Sequence, residues 1–257
     1  QKTAYEIMPS LVGSEMCIRD RCEGIKMKVL VLAGGEGSRM QPWTSIIPKC
    51  LLPVGGRPVS RIIVERLIDE GFTEIILCIN RMFEREFKHE YRDIEDIKFS
   101  ITDTPQGTAG EVYYGLQNFP LRDEEDTFCV VYADDLTEID YVSMLTRHYE
   151  EENDITIAVT PNVPLDVGVV EIEDGNIIGF KEKPLISELK MNTYVWTGVV
   201  YFKSTLTSLF SPGKDIAKDI FPEALNKKLK IEAFISDNPW WDIGQLSHYR
   251  RVKEVFK

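Results

Sequence analysis

Long apolar runs are missing from this chain of 257 residues: none approaches the roughly 20 residues that a bilayer span requires. Positive charge is also in short supply. Thirty lysines and arginines face 42 aspartates and glutamates, a formal net charge of −12. An acidic surface of this kind argues against nucleic acid or an anionic membrane as partner, so any anion site must be made locally. Cysteine is sparse, at five residues, with no CxxC pair and no metal-ligand spacing. Cys50, Cys78 and Cys129 stand far apart in apolar contexts and read as buried thiols of a reducing cytoplasm. Internal repeats, low-complexity tracts and long linkers are absent as well.

Residues 1–26 lack helical or strand periodicity and the apolar core of a secretory signal. Within them Met16–Arg21 spell MCIRDR, which looks like a translated library adapter, and Cys17 and Cys22 fall in the same stretch. We read these residues as a non-native or disordered leader. Their charges cancel: Lys2, Arg19, Arg21 and Lys26 stand against Glu6, Glu15, Asp20 and Glu23. The acidic excess therefore belongs to residues 27–257, enough chain for one large α/β domain with its own core.

What is present is an alternation of strands and helices. KVLVLA reads as a strand, VSRIIVERLIDEG as a helix capped at Gly71, and TEIILCIN as a buried strand. RMFEREFKHEY (helix), IKFSI (strand), TAGEVYYGLQNF (helix) and TFCVVY (strand) follow. Asp140 is placed to cap the helix YVSMLTRHYEEE, before the strand DITIAVT. Beyond residue 165 the rhythm changes: VGVVEIEDGNIIGFKEKP predicts a hairpin turning at EDGN. A strand YVWTGVVYF, a helix KDIAKDIFPEALNKK, a strand IEAFI and a closing helix LSHYRRVKEVF complete the pattern. The expected fold is α/β and Rossmann-like: a doubly wound, mostly parallel mixed sheet with helices on both faces, and the ligand beyond the carboxyl ends of the first strands.

The loop after the first strand, LAGGEGSRMQPWTSIIPK, is unlike either common phosphate motif. Met40 stands where a dinucleotide fingerprint needs its third glycine, and the Gly-Lys-Ser/Thr of a Walker loop is missing. Gly34, Gly35 and Gly37 still allow close backbone approach to a phosphate chain, and Arg39 and Lys49 supply cations.

This stretch resembles the signature of the sugar-1-phosphate nucleotidyltransferases, G-G-x-G-[ST]-R-[LM]-x-P-x-T-x-x-x-P-K, in Gly34, Gly35, Gly37, Ser38, Arg39, Met40, Pro42, Thr44, Pro48 and Lys49. The resemblance runs from Met27 to the C-terminus. DTPQGTAGEV looks like the base-reading segment, with Gly107 and Thr108 meeting the base edge; the bland alternative is a helix N-cap. Asp134, in YADDLT, stands where the family places a magnesium ligand, and Asp135 beside it leaves the choice within the pair open. Tyr132 and Ala133 depart from the family's small residues there. Glu182 and Lys183 match its Glu-Lys-Pro, and Asp242, in WWDIG, matches a second magnesium carboxylate, unless the tryptophans only pack.

From this resemblance follow implied roles. Arg39, Lys49 and Lys183 are the catalytic cations, holding the leaving pyrophosphate, the α-phosphate and the incoming sugar phosphate. Ala33, Gly34, Gly35, Gly37, Ser38, Gly107 and Thr108 bind the nucleotide; Gly168, Glu182, Lys183, Trp196 and Thr197 bind the sugar. Val167 and Trp196 depart from common family usage around that sugar pocket. Mg²⁺ sits on Asp134 and Asp242, with a nucleoside triphosphate and a sugar-1-phosphate as partners. LLPVGGRPV and PQGTAG lean towards guanylyl transfer to mannose- or heptose-1-phosphate. Thymidylyl or uridylyl transfer to glucose-1-phosphate is the alternative. A catalytically silent nucleotide-sugar sensor and a GT-A glycosyltransferase are the competing classes. No hexapeptide periodicity follows VKEVFK, so no acyltransferase β-helix is expected; the subunit count stays open, a homo-oligomer included.

Overall fold

The structure is a computed structural model and describes residues 24–173, 175–189 and 192–256. Most of the leader therefore lies outside the described residues. The first strand, β1, spans Ile25–Leu32 and starts earlier than expected. Ile25 pairs with Phe72, and its N–H donates to Gly71 O at 2.7 Å, so Ile25 and Lys26 belong to the sheet rather than to the leader.

A two-stranded ribbon, β2 (Pro53–Val54) and β3 (Arg57–Pro58), precedes helix α1 (Val59–Asp69). Then come β4 (Phe72–Asn80), α2 (Glu84–Glu90), β5 (Lys98–Thr102), α3 (Thr108–Asn118) and β6 (Thr127–Tyr132). The short β7 (Asp135–Thr137) leads to α4 (Tyr141–Glu150), whose N-cap is Asp140 as expected: its Oδ1 accepts the Ser143 N–H at 2.8 Å. Next are β8 (Ile155–Thr160), the hairpin β9 (Gly168–Glu173) and β10 (Asn176–Glu182), and β11 (Val195–Lys203). Helix α5 (Phe221–Asn226), β12 (Ile231–Ile235), β13 (Trp240–Asp242) and α6 (Leu246–Val255) close the described chain.

The seven-stranded sheet runs β12-β8-β11-β6-β1-β4-β5. All its ladders are parallel except those of β11, which is antiparallel to both β6 and β8. Strand β1 has β4 on one side and β6 on the other, so the chain reverses direction across the sheet here and opens a crevice at their carboxyl ends. Alternation along β1 divides the core. Val29 and Val31 pack with α1 and α4; Leu30 and Leu32 pack with α3 and the segment 206–224. Burial on both faces is why these strands read as continuous apolar runs.

The helix expected over 214–228 is divided: a π-turn occupies Ile216–Ile220 and only then does α5 begin. Pro222 has no N–H to give the preceding turn, and the Ile220 N–H reaches back to Asp215 O instead. Among the described residues no helix is long and apolar enough to cross a membrane.

Candidate active site at the carboxyl ends of β1 and β6

A cavity of about 350 Å³ opens where β1 and β6 end. Its walls include Ala33, Gly35, Arg39, Lys49, Glu111, Tyr132, Asp134, Asp135 and Asp242, drawn from both ends of the sequence. The glycine loop reaches it directly off Leu32. Gly37 is left-handed at φ 59°, and a methyl there would lie 2.7 Å from Thr44 Cγ2. Thr44 in turn donates to Gly37 O at 2.9 Å and closes the loop. A methyl built on Gly35 would meet nothing within 4 Å beyond its chain neighbours, which leaves that side of the loop open to a ligand.

Two cations flank the loop in different states. Arg39 is exposed on the cavity rim and has no ion pair among the described residues. Lys49 is half-buried and ion-paired with Asp134. Burial works against its ammonium, but the carboxylates of Asp134, Asp242 and Asp135 outweigh that cost and raise its pKa.

The distant acid, Asp242, arrives by backbone pairing. Strand β13 lies antiparallel to β7, which sets Asp242 opposite Asp135, and the Ile243 N–H donates to Asp134 O at 3.2 Å. The Gly244 N–H donates to Asp242 Oδ1. His248 of α6 brings Nδ1 to 3.5 Å from Asp242 Oδ2 and Nε2 to 3.9 Å from Asp166, which Arg251 also holds, at 2.8 Å. Asp135 is different. Burial first, then Asp134 and Asp242, push its carboxyl well above the ordinary range, and its Oδ2 would lie 2.4 Å from any Cβ added at Gly198. That contact, at φ +81°, is why residue 198 is glycine.

A divalent cation fits this donor set in kind. Asp134 and Asp242 offer hard carboxylate oxygens on one cavity wall, and magnesium characteristically takes one or two carboxylates together with substrate phosphates. Among the described residues, no group of three or more His, Cys, Asp or Glu is arranged to hold a metal alone.

Other expected site residues lie elsewhere. Gly107 has φ +73° and packs so closely that a methyl would fall 2.3 Å from Lys214 O. Thr108 touches the cavity, but its hydroxyl serves the fold: it donates to Asp215 Oδ2 at 3.0 Å and accepts the Ile216 N–H at 2.8 Å. Thr197 is buried and donates to Ala158 O at 3.2 Å. Trp196 stands behind the cavity wall, its ring 4.9 Å from that of Tyr132 and its Nε1 donating to Val199 O. Gly168, Glu182 and Lys183 lie exposed on the hairpin, outside the cavity lining, with Lys183 in the left-handed region at φ 48°. Ser38 is exposed in the loop.

Glu111, His248 and Gly198 went unrecognised in the sequence. Glu111 carried a faint signal, an acid set between Ala109 and Val112 on the apolar side of a helix. It is 7% exposed, and its Oε2 accepts the Gly34 N–H at 3.4 Å. Burial raises its pKa to about 8, against the Gly34 hydrogen bond, with Asp134 adding to the rise.

Comparison with known proteins identifies the family and the fold. The family model described as nucleotidyl transferase matches residues 28–256. A UTP–glucose-1-phosphate uridylyltransferase from Synechocystis is 30% identical over 87% of this chain, which spans 61% of that protein's length. A D-glycero-α-D-manno-heptose 1-phosphate guanylyltransferase from Aneurinibacillus thermoaerophilus is 29% identical over 89% of this chain and 97% of its own. The solved structure of HddC from Yersinia pseudotuberculosis, complexed with GMP-PN, superposes with TM-score 0.67 at 22% identity, over 90% of this chain and 100% of that one, and shares the fold. By its sequence and by its mixed, doubly wound sheet, the chain belongs to the nucleotidyl transferase family.

Proposed function

We propose that the protein transfers a nucleotidyl group from a nucleoside triphosphate to a sugar-1-phosphate, giving a nucleotide sugar and pyrophosphate. One observation carries this reading. A free arginine, a lysine fixed by an aspartate and a second, sequence-distant aspartate converge on one cavity beside an open glycine loop. Such a set suits a polyphosphate under reaction better than a finished nucleotide sugar or a silent sensor.

In the reaction, a phosphate oxygen of the sugar-1-phosphate forms a bond to the α-phosphorus. The bond from that phosphorus to the pyrophosphate oxygen breaks, and the electron pair leaves with pyrophosphate. The nucleophile is already anionic near neutral pH, so no general base is needed. The obstacle is bringing two anions together, and the protein's contribution is alignment and neutralisation of charge. Arg39, unpaired on the rim, takes the leaving pyrophosphate; Lys49, held at the wall, takes the α-phosphate; Lys183 takes the sugar phosphate and Glu182 the sugar hydroxyls. Magnesium, when bound to Asp134 and Asp242, supplies further neutralisation of the phosphates. Asp134 suits that role better than Asp135, whose carboxyl burial pushes well above the ordinary range.

Guanylyl transfer to mannose- or heptose-1-phosphate is the favoured substrate pair, supported by the motif wording and by the guanylyltransferase that this chain matches over nearly its whole length. Uridylyl or thymidylyl transfer to glucose-1-phosphate is the second reading, favoured by the uridylyltransferase relative. The compartment proposed is a reducing cytoplasm, where Cys50, Cys78 and Cys129, free and buried, stay unoxidised. The test is pyrophosphate release from residues 24–257 with magnesium, crossing five nucleoside triphosphates with mannose-, heptose-, glucose- and N-acetylglucosamine-1-phosphate. Release confined to one combination names both substrates. Silence from folded protein that binds a nucleotide overturns the transferase in favour of the sensor.

A further inference from the structure

The transfer scheme leaves Glu111 without a task, although it lines the cavity from the first turn of α3. Its carboxyl presses on the loop itself: a methyl at Gly34 would lie 2.7 Å from Oε1 and 3.0 Å from Cδ. A side chain at the first glycine of the loop would therefore displace this buried acid, apart from any ligand. Oε2 accepts the Gly34 N–H, while Oε1 has no hydrogen-bond partner among the described residues. No cation is bonded to Glu111 there either, because Lys49 is committed to Asp134.

We propose that Glu111 is a positioning residue of the nucleotide site: in its neutral form it holds the glycine loop through Gly34, and in its charged form it opposes the bound polyphosphate. The inference rests on the cavity being a nucleotide site, as argued above. A carboxyl buried against a loop that receives several phosphate charges is tolerable only while it is uncharged, and burial supplies that condition. The free oxygen then presents either a hydroxyl or a lone pair to the bound nucleotide.

The groups around Glu111 leave a usable pH window. From the loop it meets the Gly34 N–H; from the segment after the loop, the Cys50 thiol and, along the cavity wall, Lys49; from β4, Cys78; from the turn after β6, Asp134. Cys50 is pushed up to about 12 by burial, Cys78 and Tyr132 are raised by burial, and Lys49 is raised by its aspartates, so none of these changes charge between pH 7 and 9. The Asp135 carboxyl is raised by burial as well, and a glutamine variant at 111 separates the two.

The experiment is equilibrium binding of GTP, dTTP and UTP, each with magnesium, to the wild-type chain and to Glu111→Gln from pH 7 to 9. Ionisation of Glu111 opposes binding, so wild-type affinity should fall as pH rises through about 8. The fall should reach about tenfold one unit above that pKa. Glu111→Gln, permanently neutral, should still bind at pH 7 and lose the decline. A decline that survives the substitution overturns the proposal, as does a folded glutamine variant that cannot bind at pH 7. A flat wild-type profile overturns it without any variant, which covers the case of a glutamine variant that does not fold. Failure of wild type to bind any nucleotide at any pH would instead overturn the nucleotide reading of the cavity, and this inference with it.

Discussion

The two halves of the proposed site are built differently. The nucleotide side stands on β1, β4 and β6, whose residues are nearly all inaccessible, with a loop braced by Thr44 and Glu111 and a lysine fixed by Asp134. The sugar side hangs on the β9–β10 hairpin, a separate two-stranded sheet whose Val170, Ile172, Ile177 and Phe180 are 42%, 64%, 68% and 63% exposed. Register places Val170 opposite Phe180, and Gly168 opposite Glu182, so these apolar side chains share a face with residues expected at the sugar. The contrast teaches that, on the proposed reading, the polyphosphate would meet groups already in place, whereas the sugar would meet groups on a lightly anchored ribbon. Pre-organisation should therefore show in mutants of the first half as lost turnover, and in mutants of the second as weakened sugar binding.

The sharpest way to break that comparison is Lys49→Ala. It removes a fixed cation from the reacting phosphates and should cost about 3 kcal/mol of transition-state stabilisation, roughly a hundredfold in pyrophosphate release, with circular dichroism unchanged. Near-normal turnover would sink the assignment. Gly34→Ala comes next, since the new methyl collides with the Glu111 carboxyl. Nucleotide Kd should rise about tenfold through the displaced loop, a loss of about 1.4 kcal/mol, measured by titration. Lys183→Ala should raise the KM for sugar-1-phosphate by a comparable factor while leaving nucleotide Kd untouched; a parallel loss of nucleotide affinity would show that the two halves are one unit. Smallest of all, Phe180→Ser on the exposed face should change unfolding free energy by no more than about 0.5 kcal/mol, whereas Phe202→Ala in the core should cost about 3–5 kcal/mol. Equal effects of the two in thermal melts would mean that the hairpin face is covered.

Much of this was legible in advance because it is local. The strand TFCVVY, the helix after Pro58, the cap at Asp140 and the hairpin through residues 168–182 each follow from periodicity, turn residues and one side-chain oxygen. The start of β1 was misjudged by three residues, because Ile25 is held by Gly71 and Phe72, far away in sequence. The π-turn before α5 escaped for a subtler reason: periodicity reads through Pro222, but the hydrogen-bond ladder cannot. Thr108 and Thr197 read as nucleotide- and sugar-binding residues, and the tertiary structure engages the Thr108 hydroxyl with Asp215 and the Ile216 N–H and the Thr197 hydroxyl with Ala158 O, partners that the sequence does not show.

The sequence by itself determined the alternation of elements, the glycine loop with its two cations and the family they signal, since each depends on neighbouring residues or on a fixed spacing. The meeting of Asp134 with Asp242, the upward shift of the Asp135 carboxyl and the closeness of Glu111 to Gly34 were decided only by tertiary structure. Those depend on which strands pair and on how much water packing excludes, and a linear pattern carries neither.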